Sequence, residues 1–144
     1  MAVIEMIAEK VRAAFQRVKV RDLYDLYRFA ATPFDGEILR RLVVLKLWQV
    51  RDPFDPDLFF DRIRSGKYDW EDLHRLFRAG EGIETEDILR SIENRFEPLR
   101  NLSHLERVLI EDARSGRNHE LATRLREEIR TRYRSAISAM SLQK

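Results

Sequence analysis

Apolar residues recur every three or four positions along almost all of this chain, and no convincing stretch alternates with period two. That spacing gathers them on one face of a helix and would scatter them over both faces of a strand, so it predicts an all-α fold. The chain has 144 residues, enough for one domain that buries roughly two thirds of its unfolded surface. Residues 1–144 hold no repeat, linker or low-complexity segment. A single compact domain of about eight short helices is therefore expected.

Caps and breakers divide the pattern. A first helix is expected over Ala2 to Arg17 and a second over Arg21 to Ala31, stopped by "TPFDG". Asp35 should cap a third, "GEILRRLVVLKLWQVR", whose Leu39, Leu42, Val43, Leu45, Leu47 and Trp48 make it the most buried element. After the breaks of "DPFDPD", "DLFFDRIRSG" is expected to end at Gly66. "DWEDLHRLFRAG" should run from an Asp69 cap to a Gly80 stop, with Asp72 serving the helix dipole rather than closing a capping box. Thr85, Ser103 and Asn118 then open the last three helices.

Composition removes several functions. The absence of cysteine excludes thiol chemistry and disulfide frameworks and suits a reducing cytoplasm, where the protein is expected. "MAVIEMIAEKVR" is interrupted by Glu5 and Glu9 and does not read as a signal peptide. No uncharged run approaches the roughly 20 residues of a membrane span. Charged residues make up 36% of the chain, yet the net charge is only +2. The surface is thus mixed, with mildly basic ends that permit but do not demand a nucleic-acid partner. His74 and His104 lack a second histidine at ligand spacing, so no metal site is expected within this chain.

The unusual charges stand among packing residues. Lys10 falls between Val3, Met6, Ile7 and Ala14 on a helical projection, where a lysine must snorkel, pair with an acid or serve a ligand. In "KVRDLYDLYRF", Asp22 and Asp25 share one face of the second helix. Asp22 could simply favour the helix N-terminus while Asp25 pairs with Arg21 or Arg28. The same geometry could instead orient a nucleophile and neutralise a phosphate beside Lys10.

A resemblance bears on that choice. "EMIAEKVRAAFQRVKVRDLYDLYRF" resembles the second half of the nucleotidyltransferase-like toxins of the AbiEii/AbiGii family, where a helix like "E-h-L-A-E-K-L-x-A" precedes "R-x-x-x-R-D-L-Y-D-L". The resemblance is specific through residues 5 to 29, looser in "FDPDLFFDRIRSGKYDWEDLHRLF" and only general beyond about residue 80. It implies nucleotide transfer to an RNA such as tRNA in toxin–antitoxin or phage-defence (abortive infection) systems. Lys10 would then contact nucleotide phosphates, Asp22 would act as base or orienter for the acceptor hydroxyl, and Asp25 would support it. Glu9 and Arg21 match flanking positions. The family also implies Mg²⁺ and a nucleoside triphosphate, held by a Gly-Gly-Ser/Thr turn and a D-x-D pair on an α/β half. Here no two glycines adjoin, and the sole D-x-D, Asp55 and Asp57, follows neither such a turn nor a strand. The chain is accordingly expected to be a C-terminal helical portion, inactive alone, with the missing half or a cognate antitoxin as partner and without full binding of Mg²⁺ or nucleotide.

Two other classes remain. Arg114 and His119 in "RSGRNH" fit the arginine-to-histidine spacing of small helical RNases of the HEPN kind, and equally a polar turn built on Gly116. The last helix sets Leu121, Leu125, Ile129, Tyr133 and Ile137 near one stripe and Arg126, Arg130 and Arg134 on another. This pattern suits core packing beside a solvated face, or an RNA- or protein-binding module in which the arginine row follows phosphates.

Overall fold

Most helices of this chain begin where a short polar side chain can accept from backbone N–H groups that the helix itself leaves free. The computed structural model describes residues 2–76 and 84–142. It contains α1 (Ala2–Gln16), α2 (Val20–Ala30), α3 (Gly36–Gln49), α4 (Pro56–Ser65), α5 (Trp70–Leu76), α6 (Thr85–Arg95), a 3₁₀ turn (Glu97–Arg100), α7 (His104–Asp112) and α8 (His119–Leu142). Among the described residues all regular structure is helical, and no helix is long and apolar enough to cross a membrane.

Asp35 accepts from the N–H groups of Glu37 and Ile38 at the start of α3. Asp55 accepts from Leu58, Asp69 from Asp72 and Asn118 from Leu121. At α7 the box closes in both directions: the Ser103 hydroxyl accepts from Glu106 N–H while the Glu106 carboxylate accepts from Ser103 N–H. The expected Gly80 stop lies outside the described residues.

The third helix is the axis of the fold. It buries Ile38, Leu39, Leu42, Val43, Val44, Leu45, Leu47 and Trp48, because α1, the 3₁₀ turn, α7 and α8 all pack around it. Gly36 is required where α3 starts. A Cβ there would lie 2.6 Å from Pro98 Cγ, so the 3₁₀ turn can seat against the helix only if position 36 has no side chain.

The same helix carries a buried charge. Arg40 has a side chain 3% exposed, and its Nε donates to Glu106 Oε1 at 2.6 Å, while Glu106 itself is fully buried. The other guanidinium nitrogens donate to the Glu37 carboxylate and to the Pro98 carbonyl. Burial opposes the arginine's charge, but its hydrogen bonds to the Glu37 and Glu106 carboxylates win and hold its pKa above the ordinary value. Glu106 therefore caps α7 and binds α3 at once.

Replacing Glu106 with Ala should cost about 3 kcal/mol, since Arg40 then keeps only one carboxylate, Glu37, beside the Pro98 carbonyl against its desolvation. Joint replacement by apolar residues, Arg40→Met with Glu106→Leu, should recover more than half of that loss in urea unfolding; a double variant no better than Glu106→Ala would contradict this account. Acid should also unfold the protein. The Arg40 guanidinium holds the Glu37 carboxyl below its ordinary value of 4.5, and the Trp48 indole N–H does most to lower that of Asp112. Depressed carboxyls contribute stability above the unfolded value and lose it as pH falls through the folded one. Thermal stability should thus hold from neutrality to about pH 5 and drop below it.

Candidate functional site

The first two helices form an antiparallel hairpin, and charges cross it in register. Lys10 Nζ on α1 lies 2.9 Å from Asp25 Oδ2 on α2. One step nearer the turn, Arg17 grips Asp22 with both arms of its fork, Nε to Oδ2 at 2.9 Å and Nη2 to Oδ1 at 3.1 Å. The residue number rises along α1 as it falls along α2. Arg17 lies one residue past the end of α1 and seven after Lys10, and Asp22 and Asp25 are three apart on α2, which brings both pairs to one seam.

The pairs differ in accessibility. Lys10 and Asp25 keep about a third of their side chains exposed (38% and 33%), so a solvent-borne group can compete for either. Asp22 is buried, although the guanidinium that neutralises it is half exposed. Tyr68 stands close enough to feel Asp22: burial first, then that carboxylate's charge, push its phenol up to about 12. The Tyr68 hydroxyl donates to the Arg62 carbonyl at 2.9 Å.

Sequence reading placed Lys10 inside the apolar arc of its helix, and the structure corrects the arc. The buried stripe of α1 is Ile7, Ala8, Val11, Ala14 and Phe15, whereas Val3 and Met6 are more than half exposed. Lys10 therefore continues an outward edge and meets its acid across the helix pair, not inside the core. Of the two arrangements open for Asp25, pairing with Arg21 or Arg28 or a place beside Lys10, the structure shows the second. Glu9 faces elsewhere, bound by Arg12 and by Lys46 of α3, and the Arg12 hydrogen bond leads in holding its carboxyl below the ordinary value. Arg21 is exposed and lines a 410 Å³ groove with Lys19, Lys67 and Tyr68.

Two residues of the seam were not singled out from sequence. Arg17 is the first arginine of the quoted "R-x-x-x-R-D-L-Y-D-L" pattern, two turns past Lys10, and that placement on one helical face was the available signal. Tyr68 gave none, since it reaches Asp22 only through the packing of the segment that follows α4.

The donor set does not suit a divalent cation by itself. Both oxygens of Asp22 are occupied by Arg17, and one of Asp25 by Lys10. Among the described residues no group of three or more His, Asp or Glu side chains is placed to hold a metal ion. Asp55 and Asp57 do not converge either: the first caps α4 and the second is almost wholly exposed. Lys10 does suit a phosphate, which could draw its ammonium from Asp25.

The other candidates separate. Arg114 lines a 660 Å³ groove with Phe54 and Arg62, while His119 lines a different one and packs edge-on to Trp48. The spacing of the helical RNases is therefore present in sequence but not as a shared cleft. Along α8, Leu125 and Ile129 are buried and Ile137 is exposed. Arg126, Arg130 and Arg134 follow one face, with Arg130 paired to Glu127 at 2.7 Å.

Residues 1–142 match the family profile described as "Nucleotidyl transferase AbiEii toxin, Type IV TA system". No curated protein and no solved structure matches the chain.

Replacing Asp22 with Ala should destabilise the protein by about 1–3 kcal/mol, because a buried, doubly bonded carboxylate is lost. Asp25→Ala should cost less than about 1 kcal/mol, as expected for a half-exposed pair. Urea unfolding of the two variants gives the order directly, and the reverse order would mean that Asp25, not Asp22, anchors the hairpin.

Proposed function

This chain belongs to the AbiEii nucleotidyltransferase toxin family, and from that membership we propose that it forms the helical wall of a site that transfers a nucleotide to RNA, such as tRNA. The family supports a nucleotidyltransferase-like role in a toxin–antitoxin system, with a cognate antitoxin as counterpart. The observation that carries the finer statement is the Lys10–Asp25 pair, two positions of the family-like motif joined at 2.9 Å on a half-exposed seam. A triphosphate approaching the seam exchanges for Asp25 at the lysine, and the carboxylate so released can accept from the acceptor hydroxyl. Asp22, buried under Arg17, positions the hairpin that displays this pair.

Supporting the same reading, the exposed Val3 and Met6 lie on the Lys10 edge of α1, where a second, metal-binding polypeptide segment could seat. The chain alone would be inactive, because the residues of this seam do not by themselves make a metal-holding set. The arginine row of α8 would contribute phosphate contacts to the RNA, in the cytoplasm where such a substrate resides.

Labelled nucleoside triphosphates and tRNA, incubated with the purified chain, should give no labelled RNA. Addition of a polypeptide carrying the Gly-Gly-Ser turn and the D-x-D pair should give labelling, and Lys10→Ala should lower it about a hundredfold. Labelling by the chain alone, or by the assembly without regard to Lys10, would overturn the proposal.

A further inference from the structure

We propose that the groove between the end of α3 and the start of α8 binds a phosphate group, held by Arg51, His119 and Arg126. The groove encloses about 370 Å³ and is lined by Trp48, Gln49, Arg51, Gly116, His119 and Arg126, without a carboxylate. Several guanidinium groups elsewhere are neutralised, Arg12 by Glu9, Arg17 by Asp22, Arg64 by Glu86 and Arg100 by Glu97, while others, Arg21, Arg114 and Arg134 among them, form no ion pair with a carboxylate among the described residues. Among the described residues Arg51 and Arg126 have no such partner.

The surrounding turn holds these cations together. The carboxylate in that turn, Asp112, is committed inward, accepting from the Trp48 indole at 2.8 Å, the Asn118 N–H at 2.9 Å and the Ser115 hydroxyl at 3.1 Å. Trp48 in turn fixes the His119 ring edge-on, with centroids 5.3 Å apart. Gly116 adopts φ +61, and a Cβ there would be 3.5 Å from both Cγ and Nε of Arg51, so the arginine stem lies along the bare face of the turn. Arg51 itself has φ 58, a left-handed conformation that a residue with a Cβ rarely adopts. Two α-helical turns separate His119 from Arg126, which puts them on one face of α8.

The chemistry favours phosphate over carboxylate. Two planar forks and an imidazole need more acceptor oxygens than one carboxylate supplies, and a phosphate can satisfy both guanidinium groups at once. Arg130 and Arg134 continue from Arg126 at about 6 Å per four residues, giving a polynucleotide backbone a path along α8. No residue is shared with the Lys10–Asp25 seam, and Arg51 lies outside the arginine row of α8, so loss of nucleotide transfer through the seam and loss of phosphate binding through Arg51 can be told apart.

Arg51→Gly tests the site without damaging the fold, because glycine relieves the left-handed backbone and should keep or raise the melting temperature. Binding of a short fluorescein-labelled single-stranded RNA by anisotropy, and of inorganic pyrophosphate by calorimetry, should weaken several-fold in this variant and in Arg126→Gln. For RNA, each variant should reduce the slope of log affinity against log salt by about 0.7. Dependence on Arg51 in the RNA arm identifies a polynucleotide phosphate, and dependence in the pyrophosphate arm alone identifies a small phosphate compound; either supports the site. Equal binding by wild type and both variants, or no binding of either probe at low salt, overturns it.

Discussion

A single buried guanidinium joins the parts of this domain. Arg40 extends from the central helix to two carboxylates and a backbone carbonyl, and these belong to α3, the 3₁₀ turn and α7. Desolvating an arginine is costly, so those partners are tolerated only in the geometry that satisfies it. Arg40 thus specifies how the second half of the chain docks on the first. The apolar core could accept several slightly different packings; the fork of Arg40 accepts far fewer.

The hairpin of α1 and α2 benefits from that rigidity. Its α1 packs on α3 and buries Ile7, Val11 and Phe15, while its charged seam stays at the edge. The two ion pairs divide the labour by depth. Arg17 with Asp22 is a structural clasp whose acid is sealed, and Lys10 with Asp25 is an open pair whose members can change partners. In the proposed role as a helical wall, one pair would fix the backbone and the other would answer a ligand.

Much of the fold was legible because helix signals are local. Asp35, Asp69, Ser103 and Asn118 each announced a start, and the 3.6-residue period gave α3 its burial. The Arg40–Glu106 contact was not legible, since it spans 66 positions and both residues sit in segments where charge is common. The motif residues of the seam were legible by type, but their pairing was not: Lys10 meets Asp25 because the two helices run antiparallel, which no single helical projection contains. The error at Val3 and Met6 has the same origin. A projection shows that residues share an arc, and only the neighbouring helices decide which arc faces inward.

Gly36 governs more than the local approach of Pro98. The 3₁₀ turn that its bare Cα admits is the turn whose carbonyl receives Arg40. A methyl group at position 36 would push that turn outward, lengthen the Arg40 contact and open the charged centre to water. The absence of one carbon atom therefore sets how dry the middle of the domain is, and through it the effective dielectric in which its most buried ion pair operates.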